Sequence, residues 1–389
     1  MLALLMPQPS RTTSIMDAPI QRLLQTADVP NDVVNLGQGI PFFGPPKPAM
    51  DAAAAALRQP EGYQYSHDTG HPNLKQAVAE KLHHDNDIRA AGQDNIIITT
   101  GANQAFINAL LAVTNAGDSI IVVTPHYFNH VMAVEMASCQ PIFVPTGEGY
   151  LPHVDAIAAA IQDNTRAVVT ISPNNPTGAV YPPGTLRDIN ELCADHNIYH
   201  ISDEPYEYFV YDGARHVSPA SFDAAMEHTI SLFSFSKSYG MSGYRIGAMA
   251  VPHSIYQEVL KVQDTIAICP PGPSQAAAQA ALKVGSTYPH QFLPVLEEVR
   301  QVFIDGIATL KGVSLPVTHG AFYFLLQLET NHESWDIALR LIEDFGVATI
   351  PGEAFDAGQP ALRIAYGNLT PTDAQKGIRR LTKGLQALL

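Results

Sequence analysis

Short β-rich runs alternate with amphipathic helical stretches between about residue 95 and residue 245, and this alternation restricts the fold more than any other feature. Residues 96–100 form an apolar, β-branched run typical of a buried strand, and 102–114 follow with apolar side chains at helical spacing. The other strand candidates are 119–124, 141–145, 166–172, 198–203 and 229–233, and the helical candidates between them are 131–138, 154–161 and 186–196. Because parallel neighbours need crossover connections, the pattern predicts a largely parallel sheet with helices on both faces.

The pattern changes after Arg245. Long helical runs occupy 254–266, 274–284 and 288–310, and we expect the last of these to bridge two parts of the molecule. Shorter strand candidates at 321–327, 347–350 and 361–365 surround a helix at 334–345, and a final helix begins at Thr370. This is an α+β pattern, and a chain of 389 residues exceeds one typical core. The sequence therefore predicts an α/β protein with a second, smaller domain.

The charge balance excludes two classes of partner. The chain has 22 Lys and Arg residues against 37 Asp and Glu, which gives a net charge of −15. A protein this acidic repels nucleic acid phosphates and anionic lipid surfaces, so we expect neither nucleic acid nor membrane as a partner. Residues 1–6 are apolar but too few for a signal peptide, and the three cysteines show no CxxC or zinc spacing. These features predict a cytoplasmic protein.

Unusual polar clusters fall where the strand candidates end. They are Ser-Pro-Asn-Asn-Pro-Thr-Gly at 172–178, Asp-Glu-Pro-Tyr at 203–206, Thr-Pro-His-Tyr at 124–127 and Ser-Phe-Ser-Lys at 234–237. In open α/β sheets, ligands bind beyond the carboxyl ends of the strands. Taken singly, the clusters have structural explanations such as a turn, a helix N-cap or a solvated lysine. Their joint order and position favour a binding site.

Three of these clusters resemble the motifs of the class I and II aminotransferases, which are fold-type I enzymes dependent on pyridoxal 5′-phosphate. The resemblance extends from Asn-Leu-Gly-Gln-Gly at 35–39 to Arg-Ile-Ala at 363–365, and Arg245 follows Lys237 by eight residues. It implies an aspartate-aminotransferase-like fold, in which a large domain with a mostly parallel sheet flanked by helices precedes a smaller α+β C-terminal domain. We assign 1–46 to an N-terminal arm and part of the small domain, 47–285 to the large cofactor-binding domain, and 286–389 to the small domain.

The resemblance implies four contacts to the cofactor ring. Lys237 would hold pyridoxal 5′-phosphate as a Schiff base and later move the substrate proton, which requires that its amine be neutral. Asp203 would pair with the pyridine nitrogen and keep it protonated, so that the ring acts as an electron sink. Tyr206 and Asn175 would hydrogen-bond the phenolic oxygen. Catalysis is therefore assigned to Lys237, Asp203 and Tyr206.

The cofactor phosphate needs hydrogen-bond donors and positive charge. Ala102 and Asn103 lie at a predicted strand-to-helix turn, where backbone N–H groups face a helix N-terminus suited to an anion. The resemblance adds Ser234, Ser236 and Arg245, whose guanidinium offers a planar fork for phosphate oxygens. These residues together predict a phosphate cradle.

Several aromatic positions are implied by the same resemblance. Tyr127 would stack on the cofactor, and His130 would hydrogen-bond Asp203, although an ordinary buried histidine is an equal alternative. Tyr65 would reach the phosphate of a neighbouring subunit, with Tyr63 as the competing candidate. This predicts a homodimer with shared active sites.

Substrate recognition is implied for Arg363, Gly39 and Asn175. Arg363 would clamp the α-carboxylate in a bidentate pair, and Gly39 would lie in a loop that closes over the substrate. No arginine matches the residue that binds the distal carboxylate in aspartate-specific relatives. The apolar, aromatic segment 40–43 favours hydrophobic, aromatic or sulfur-containing substrate side chains.

The function predicted from these residues is ping-pong transamination between an L-amino acid and a 2-oxo acid. A pyridoxal-phosphate-dependent lyase or related Cα or Cβ chemistry is the nearest alternative, because the same residues serve it. A non-catalytic regulator is a third hypothesis. We expect no metal, and the run His-His-Asp-Asn-Asp at 83–87 is interpreted as a solvated loop after a helix.

Overall fold

The computed structural model describes residues 12, 13 and 15–389, so the prediction on residues 1–6 lies outside the described part of the chain. The strands are β1 Val34–Asn35, β2 Ile96–Thr99, β3 Ser119–Thr124, β4 Gln140–Pro145, β5 Thr165–Ile171, β6 Tyr199–Asp203, β7 Thr229–Ser234, β8 Gly247–Ala250, β9 Val313–Ser314, β10 Tyr323–Leu328, β11 Val347–Ala348, β12 Ile350–Pro351 and β13 Ala361–Ala365. The helices are α1 Pro19–Thr26, α2 Lys47–Ala56, α3 Pro60–Tyr63, α4 Pro72–Asp85, α5 Ala102–Val113, α6 Phe128–Met136, α7 Val154–Ala160, α8 Pro183–Asp195, α9 Phe235–Ser238, α10 Tyr256–Ala267, α11 Gly272–Val284, α12 Thr287–His290, α13 Leu293–Ile307, α14 Ser334–Phe345 and α15 Pro371–Leu388.

A seven-stranded sheet organises the larger part of the molecule, in the order β2-β8-β7-β6-β5-β3-β4. Strands β4, β3, β5, β6 and β7 run parallel, and β8 pairs antiparallel with both β7 and β2. The parallel register aligns Ile171 with Asp203 and Asp203 with Leu232. The carboxyl ends of β5, β6 and β7 therefore meet at one edge, as the alternating sequence pattern predicted.

Alternate residues of this sheet enter cores on opposite faces. Ile96 and Ile98 pack in one cluster with residues of α2, α4 and α11, whereas Ile97 packs in another with residues of α5, α6 and α10. A strand places successive side chains on opposite faces, so a run that is apolar at every position needs helices on both sides. The predicted three-layer arrangement is confirmed.

A smaller antiparallel sheet in the order β12-β13-β10-β9 forms the second unit, and β1 pairs in parallel with β11. Its core joins these strands to α13, α14 and α15 through fully buried residues such as Phe303, Phe324 and Leu381. The pairing of Val34 with Val347 ties the N-terminal segment to this smaller unit. This agrees with the fold class predicted from the sequence.

The prediction of one long helix at 288–310 is wrong. The structure has two helices there, α12 Thr287–His290 and α13 Leu293–Ile307, with Gln291 and Phe292 between them. Pro294 stands in the first turn of α13, where its missing N–H is harmless, but a helix running through it from α12 would lose a hydrogen bond. The Phe292 ring stacks on Phe43, with centroids 3.9 Å apart, so the break meets the segment that leads into α2.

Two shorter predictions also need correction. The single strand expected at 347–350 is two strands, β11 and β12, which belong to different sheets because the chain leaves β1 and turns towards β13. His83 and His84 lie in the last turn of α4 instead of a loop, and the His83 ring contacts the Ala91 carbonyl oxygen at 2.6 Å.

Among residues 12, 13 and 15–389, no helix is long and apolar enough to cross a membrane. No group of three or more His, Cys, Asp and Glu side chains in that part of the chain is arranged to hold a metal ion.

Candidate active site

A cavity of about 270 Å³ opens at the carboxyl edge of the large sheet, next to the smaller one. It is lined by Ile20, Gln38, Gly39, Ile40, Ala102, Asn103, Tyr127, Phe128, Ile171, Asn175, Asp203, Pro205, Tyr206, Ser234, Ser236, Lys237, Arg245, Tyr323 and Arg363. The site residues predicted from the sequence are in this lining, except Tyr65 and except His130, which contacts the lining residue Asp203. Side chains from distant parts of the chain thus meet where the parallel strands end, as expected for a sheet of this type.

Lys237 reaches the cavity from the short helix α9, which directly follows β7. Its Nζ donates a hydrogen bond to the Gly39 carbonyl oxygen at 2.5 Å. Burial, followed by the positive charges of Arg363 and Arg245, lowers the pKa of the Lys237 amine to about 8, although Asp203 acts in the opposite direction. A substantial neutral fraction near physiological pH makes this amine a nucleophile.

Asp203 ends β6 at the floor of the cavity and is almost fully buried. Its Oδ2 lies 3.0 Å from His130 Nε2, and the His130 ring stacks on Phe106 with centroids 4.1 Å apart. The other oxygen, Oδ1, is buried without a hydrogen-bond partner among the described residues. Since a buried carboxylate oxygen is costly to leave unpaired, Oδ1 is poised to accept a proton-bearing group of a ligand.

A cradle for an anion lies at the N-terminus of α5. Gly101 precedes this helix with φ +86°, and a Cβ at that position would lie 2.5 Å from Arg245 Nη2. The Arg245 guanidinium also approaches Ser236 Oγ, at 3.5 Å. The first N–H groups of a helix have no partner inside the helix, so Ala102 and Asn103 place donors beside this cation. The arrangement suits a phosphate group.

Arg363 is buried on β13 between two aromatic rings. Its Cζ lies 4.7 Å from the ring centroid of Tyr323 and 5.1 Å from that of Phe355. Nη1 donates to Asn175 Oδ1 at 2.9 Å and Nη2 donates to the Gly37 carbonyl oxygen. No acidic side chain of the described chain forms an ion pair with it, and burial lowers its pKa. A buried guanidinium without a carboxylate is suited to receive one from a ligand.

Tyr323 was missed by the sequence reasoning. Its hydroxyl lies 2.7 Å from the hydroxyl of Tyr206, and both side chains are buried. In the sequence, Tyr323 is one apolar residue of a strand, and nothing marks its hydroxyl. The pairing of β10 with β13 reveals its position. Tyr323 pairs with Ala365, which is two residues from Arg363, so the Tyr323 and Arg363 side chains lie on one face of the sheet.

The cavity lining includes the aliphatic or aromatic hydrocarbon side chains of Ile20, Ile40, Phe128 and Ile171. The prediction that the whole segment 40–43 contributes to the substrate site is only partly correct. Ile40 lines the cavity, but Phe42 and Phe43 pack against Phe292. The N-terminal helix α1 supplies Ile20 instead, and no sequence motif marked it.

Tyr65 and Tyr63 do not reach this cavity within one described chain. Both are largely exposed, and Tyr65 lines a separate hollow of about 500 Å³ with Gln64, His71 and Gln275. The nearby Leu57 is also exposed. Large exposed aromatic and aliphatic side chains close together are typical of an interaction surface.

The chain resembles known proteins over almost its whole length. The family described as aminotransferase class I and II matches residues 31–381. Aromatic aminotransferase ISS1 of Arabidopsis thaliana is 31% identical over 98% of this chain and 97% of its own length. An aspartate aminotransferase of Pyrococcus abyssi is 33% identical over 93% of this chain and 94% of its own length.

Solved structures agree. A single-mutant aspartate aminotransferase of Thermus thermophilus superposes with a TM-score of 0.90 and 30% identity, covering 97% of this chain and all of that one. The fold, the cavity and the sequence matches lead to the same conclusion. This chain is an aminotransferase and belongs to the class I and II family.

Proposed function

We propose that this aminotransferase uses pyridoxal 5′-phosphate held at Lys237 to move the amino group of an L-amino acid with an apolar side chain to a 2-oxo acid. The family uses this cofactor, and the observation that carries the assignment to this cavity is the convergence of Lys237, Asp203 and Arg363 there. Asp203 Oδ1 and Arg363 Nε are both buried, and neither has a hydrogen-bond partner among the described residues.

The residues present fit the cofactor. Asp203 Oδ1 would accept a hydrogen bond from a protonated ring nitrogen, and Asn175 and Tyr206, which line the same cavity, would donate to a ring oxygen. Tyr127 offers an aromatic face. Burial raises its pKa and so keeps its hydroxyl neutral. The phosphate would be held at the anion cradle. When bound, pyridoxal phosphate supplies a ring that accepts electron density from the carbon next to the transferred nitrogen.

The phosphate assignment uses the positive charge of Arg245 and the hydroxyls of Ser234 and Ser236. Ser234 Oγ accepts a hydrogen bond from the Ser236 backbone N–H at 3.2 Å, which fixes the turn that carries both hydroxyls. Ala102 and Asn103 add backbone donors. Preorganised donors of this kind bind a dianion without reorganisation of the protein.

The substrate steps follow from three side chains. Arg363 would bind the α-carboxylate, with Asn175 holding one end of the guanidinium through its Oδ1. A carboxylate held at Arg363 would restrict the orientation of the substrate Cα–H bond, which Lys237 must reach. After a substrate amine displaces Lys237 Nζ from the cofactor, this nitrogen would take the proton from the substrate Cα. It would then deliver the proton to the cofactor carbon C4′. The pKa of about 8 suits an amine that must both accept and release this proton.

The composition of the cavity supports an apolar substrate side chain. Its described lining contains three cations, Lys237, Arg245 and Arg363, and each is assigned to the cofactor or to the α-carboxylate. No further cation of that lining is free for a distal carboxylate, and the lining includes the apolar side chains of Ile20, Ile40 and Phe128. A carboxylate placed against these apolar side chains would lose its hydration without a partner.

We expect leucine, methionine or phenylalanine to be better donors than aspartate by at least about tenfold in kcat/KM, because an unpaired buried charge costs more than about 1.4 kcal/mol. The measurement uses each amino acid alone, without an acceptor, and follows the visible absorbance of the bound cofactor and the 2-oxo acid formed. A higher rate with aspartate would exclude the apolar substrate class.

The matched variant is Ile20→Ala. It should slow the reaction of leucine and phenylalanine while leaving alanine nearly unchanged, since we expect the alanine methyl group to be too short to contact the Ile20 side chain.

The same assay distinguishes the aminotransferase from a lyase and from a non-catalytic regulator. Catalytic release of ammonia from a β-substituted amino acid would indicate a lyase, and a dialysed protein without visible cofactor absorbance would indicate a non-catalytic regulator.

We also propose that the active unit is a homodimer in which Tyr65 completes the phosphate site of the partner. The exposure of Tyr65 and its neighbour Leu57 supports this, because such side chains are usually covered in an assembly. Tyr63 remains the competing candidate.

Mixed dimers test this proposal. Tyr65→Ala and Lys237→Met subunits should each be weakly active or inactive alone at limiting cofactor. After mixing, roughly a quarter of the sites should recover, because one site of each mixed dimer receives both intact residues. Tyr63→Ala is the control and should need no complementation. Recovery with Tyr63→Ala and not with Tyr65→Ala would reverse the assignment, and no recovery with either would contradict a shared site.

The domain boundaries after residues 46 and 285 and the cytoplasmic location remain proposals. The pairing of β1 with β11 supports placing the N-terminal segment with the smaller domain.

A further inference from the structure

Tyr323 contacts three groups that the proposed function uses. Its hydroxyl is 2.7 Å from the Tyr206 hydroxyl, and its ring faces the Arg363 guanidinium. A Cβ at Gly39 would lie 1.8 Å from Tyr323 Oη, so the main chain at Gly39 packs directly against the end of this side chain. The carbonyl of the same Gly39 accepts the hydrogen bond of Lys237. One phenol therefore joins the N-terminal loop, the end of β6 and strand β13.

In the hydrogen bond between the Tyr206 and Tyr323 hydroxyls, one of them donates its proton and the other accepts. If Tyr206 donates to a ring oxygen of the cofactor, its own oxygen is free to accept, and Tyr323 is the neighbour within reach. Burial raises the pKa of both phenols, that of Tyr323 to about 12, so both carry their protons near neutral pH. A phenol that accepts a hydrogen bond becomes a stronger donor through its own O–H.

We propose that Tyr323 is a positioning residue that acts through Tyr206. Its hydroxyl donates to Tyr206 and thereby strengthens the hydrogen bond that Tyr206 gives to the phenolic oxygen of pyridoxal phosphate. This inference rests on the proposed function, because it requires the cofactor in this cavity with its phenolic oxygen towards Tyr206. It assigns a role to a residue for which the sequence offered no signal.

The sign of the effect follows from the charge on the phenolic oxygen. A stronger hydrogen bond from Tyr206 stabilises the negative charge of the phenolic oxygen. That oxygen then gains less from the proton on the neighbouring lysine-linked nitrogen, so the pKa of this nitrogen is lower. The visible spectrum of the cofactor-loaded enzyme changes as that proton is lost. Removing the Tyr323 hydroxyl should therefore raise the pH midpoint of this spectral change.

The experiment is a spectral pH titration of the holoenzyme without substrate. Tyr323→Phe should raise the midpoint by about half a unit, because one net hydrogen bond corresponds to at most about one pKa unit and only part of it is transmitted. Tyr206→Phe should raise it further. In the Tyr206→Phe background, Tyr323→Phe should add no shift, since its effect passes through Tyr206. The KM for the amino donor should change little, because phenylalanine keeps the ring over Arg363.

The matched control is Tyr211→Phe, which removes another buried hydroxyl of the same core, one that donates to the Ala321 carbonyl oxygen at 2.7 Å. It should lower stability comparably and leave the spectral midpoint unchanged. An unshifted midpoint in Tyr323→Phe, or an equal shift in both Tyr206 backgrounds, would overturn the inference. A wild-type protein without the visible spectrum would instead refute the proposed function, so the two failures are distinguishable.

Discussion

Lys237→Met is expected to lower transamination by at least about 10⁴-fold, the upper range for loss of a positioned proton-transfer group. The variant loses both the covalent anchor for the cofactor and the amine that moves the Cα proton. The cofactor phosphate should still bind, because Arg245 and the N-terminus of α5 are untouched. Steady-state turnover and equilibrium dialysis of pyridoxal phosphate measure the two effects separately. Full turnover by this variant would refute the assignment of Lys237.

A second buried lysine provides the control. Lys75 is buried on α4, where its Nζ donates to the Tyr256 hydroxyl at 3.0 Å, and burial lowers its pKa. Lys75→Met removes a desolvated amine at a position that does not line the cavity. It should keep its turnover and its visible cofactor spectrum. An equal loss in both variants would mean that the effect of Lys237→Met arises from folding.

Arg363→Met is expected to lower kcat/KM for amino acids by about 10³-fold, because truncating one partner of a buried charge pair costs about 2–5 kcal/mol. The same substitution should leave the free energy of unfolding of the substrate-free protein unchanged or higher. Arg363 is buried without an acidic partner in the described structure, so an apolar side chain of similar size removes an uncompensated charge. Stability and activity should thus change in opposite directions.

A substitution of Arg300 is the control for these opposite effects on stability and activity. It is also buried in the smaller unit, but it forms an ion pair with Asp212 at 2.8 Å and donates to the Thr318 carbonyl oxygen. Arg300→Met should lower stability and leave the KM for amino acids unchanged. Chemical denaturation and donor kinetics on both variants give the comparison. Destabilisation of the Arg363→Met protein by several kcal/mol would show that Arg363 serves the fold instead of the substrate.

Residues at strand ends were predictable from the sequence because a parallel sheet collects them at one edge. Asp203 ends β6 and Lys237 follows the adjacent strand β7, and the register of β6 with β7 brings the two strand ends together. Their roles came from the resemblance and remain proposals. The strand–helix order was similarly readable, since each element carries its own apolar periodicity.

Contacts between distant segments were not predictable in this way. Tyr323 and Ile20 have ordinary apolar surroundings in the sequence, and only the packing of the smaller unit against the sheet brings them to the cavity. The break between α12 and α13 was missed for another reason. Apolar periodicity continues across Phe292, and the prolines, which end a helix locally, were outweighed by it.

The two cations Lys237 and Arg363 both rest on carbonyl groups of one three-residue segment, at Gly39 and Gly37. Substitution replaces side chains, but it never deletes a main-chain oxygen. These two contacts can therefore persist through wide sequence divergence as long as the path of the chain is kept. That path is most restricted at Gly39, where any side chain would collide with Tyr323. These two polar contacts of the site are thus encoded by the shape of the backbone, and a comparison of residue types alone would not detect their loss.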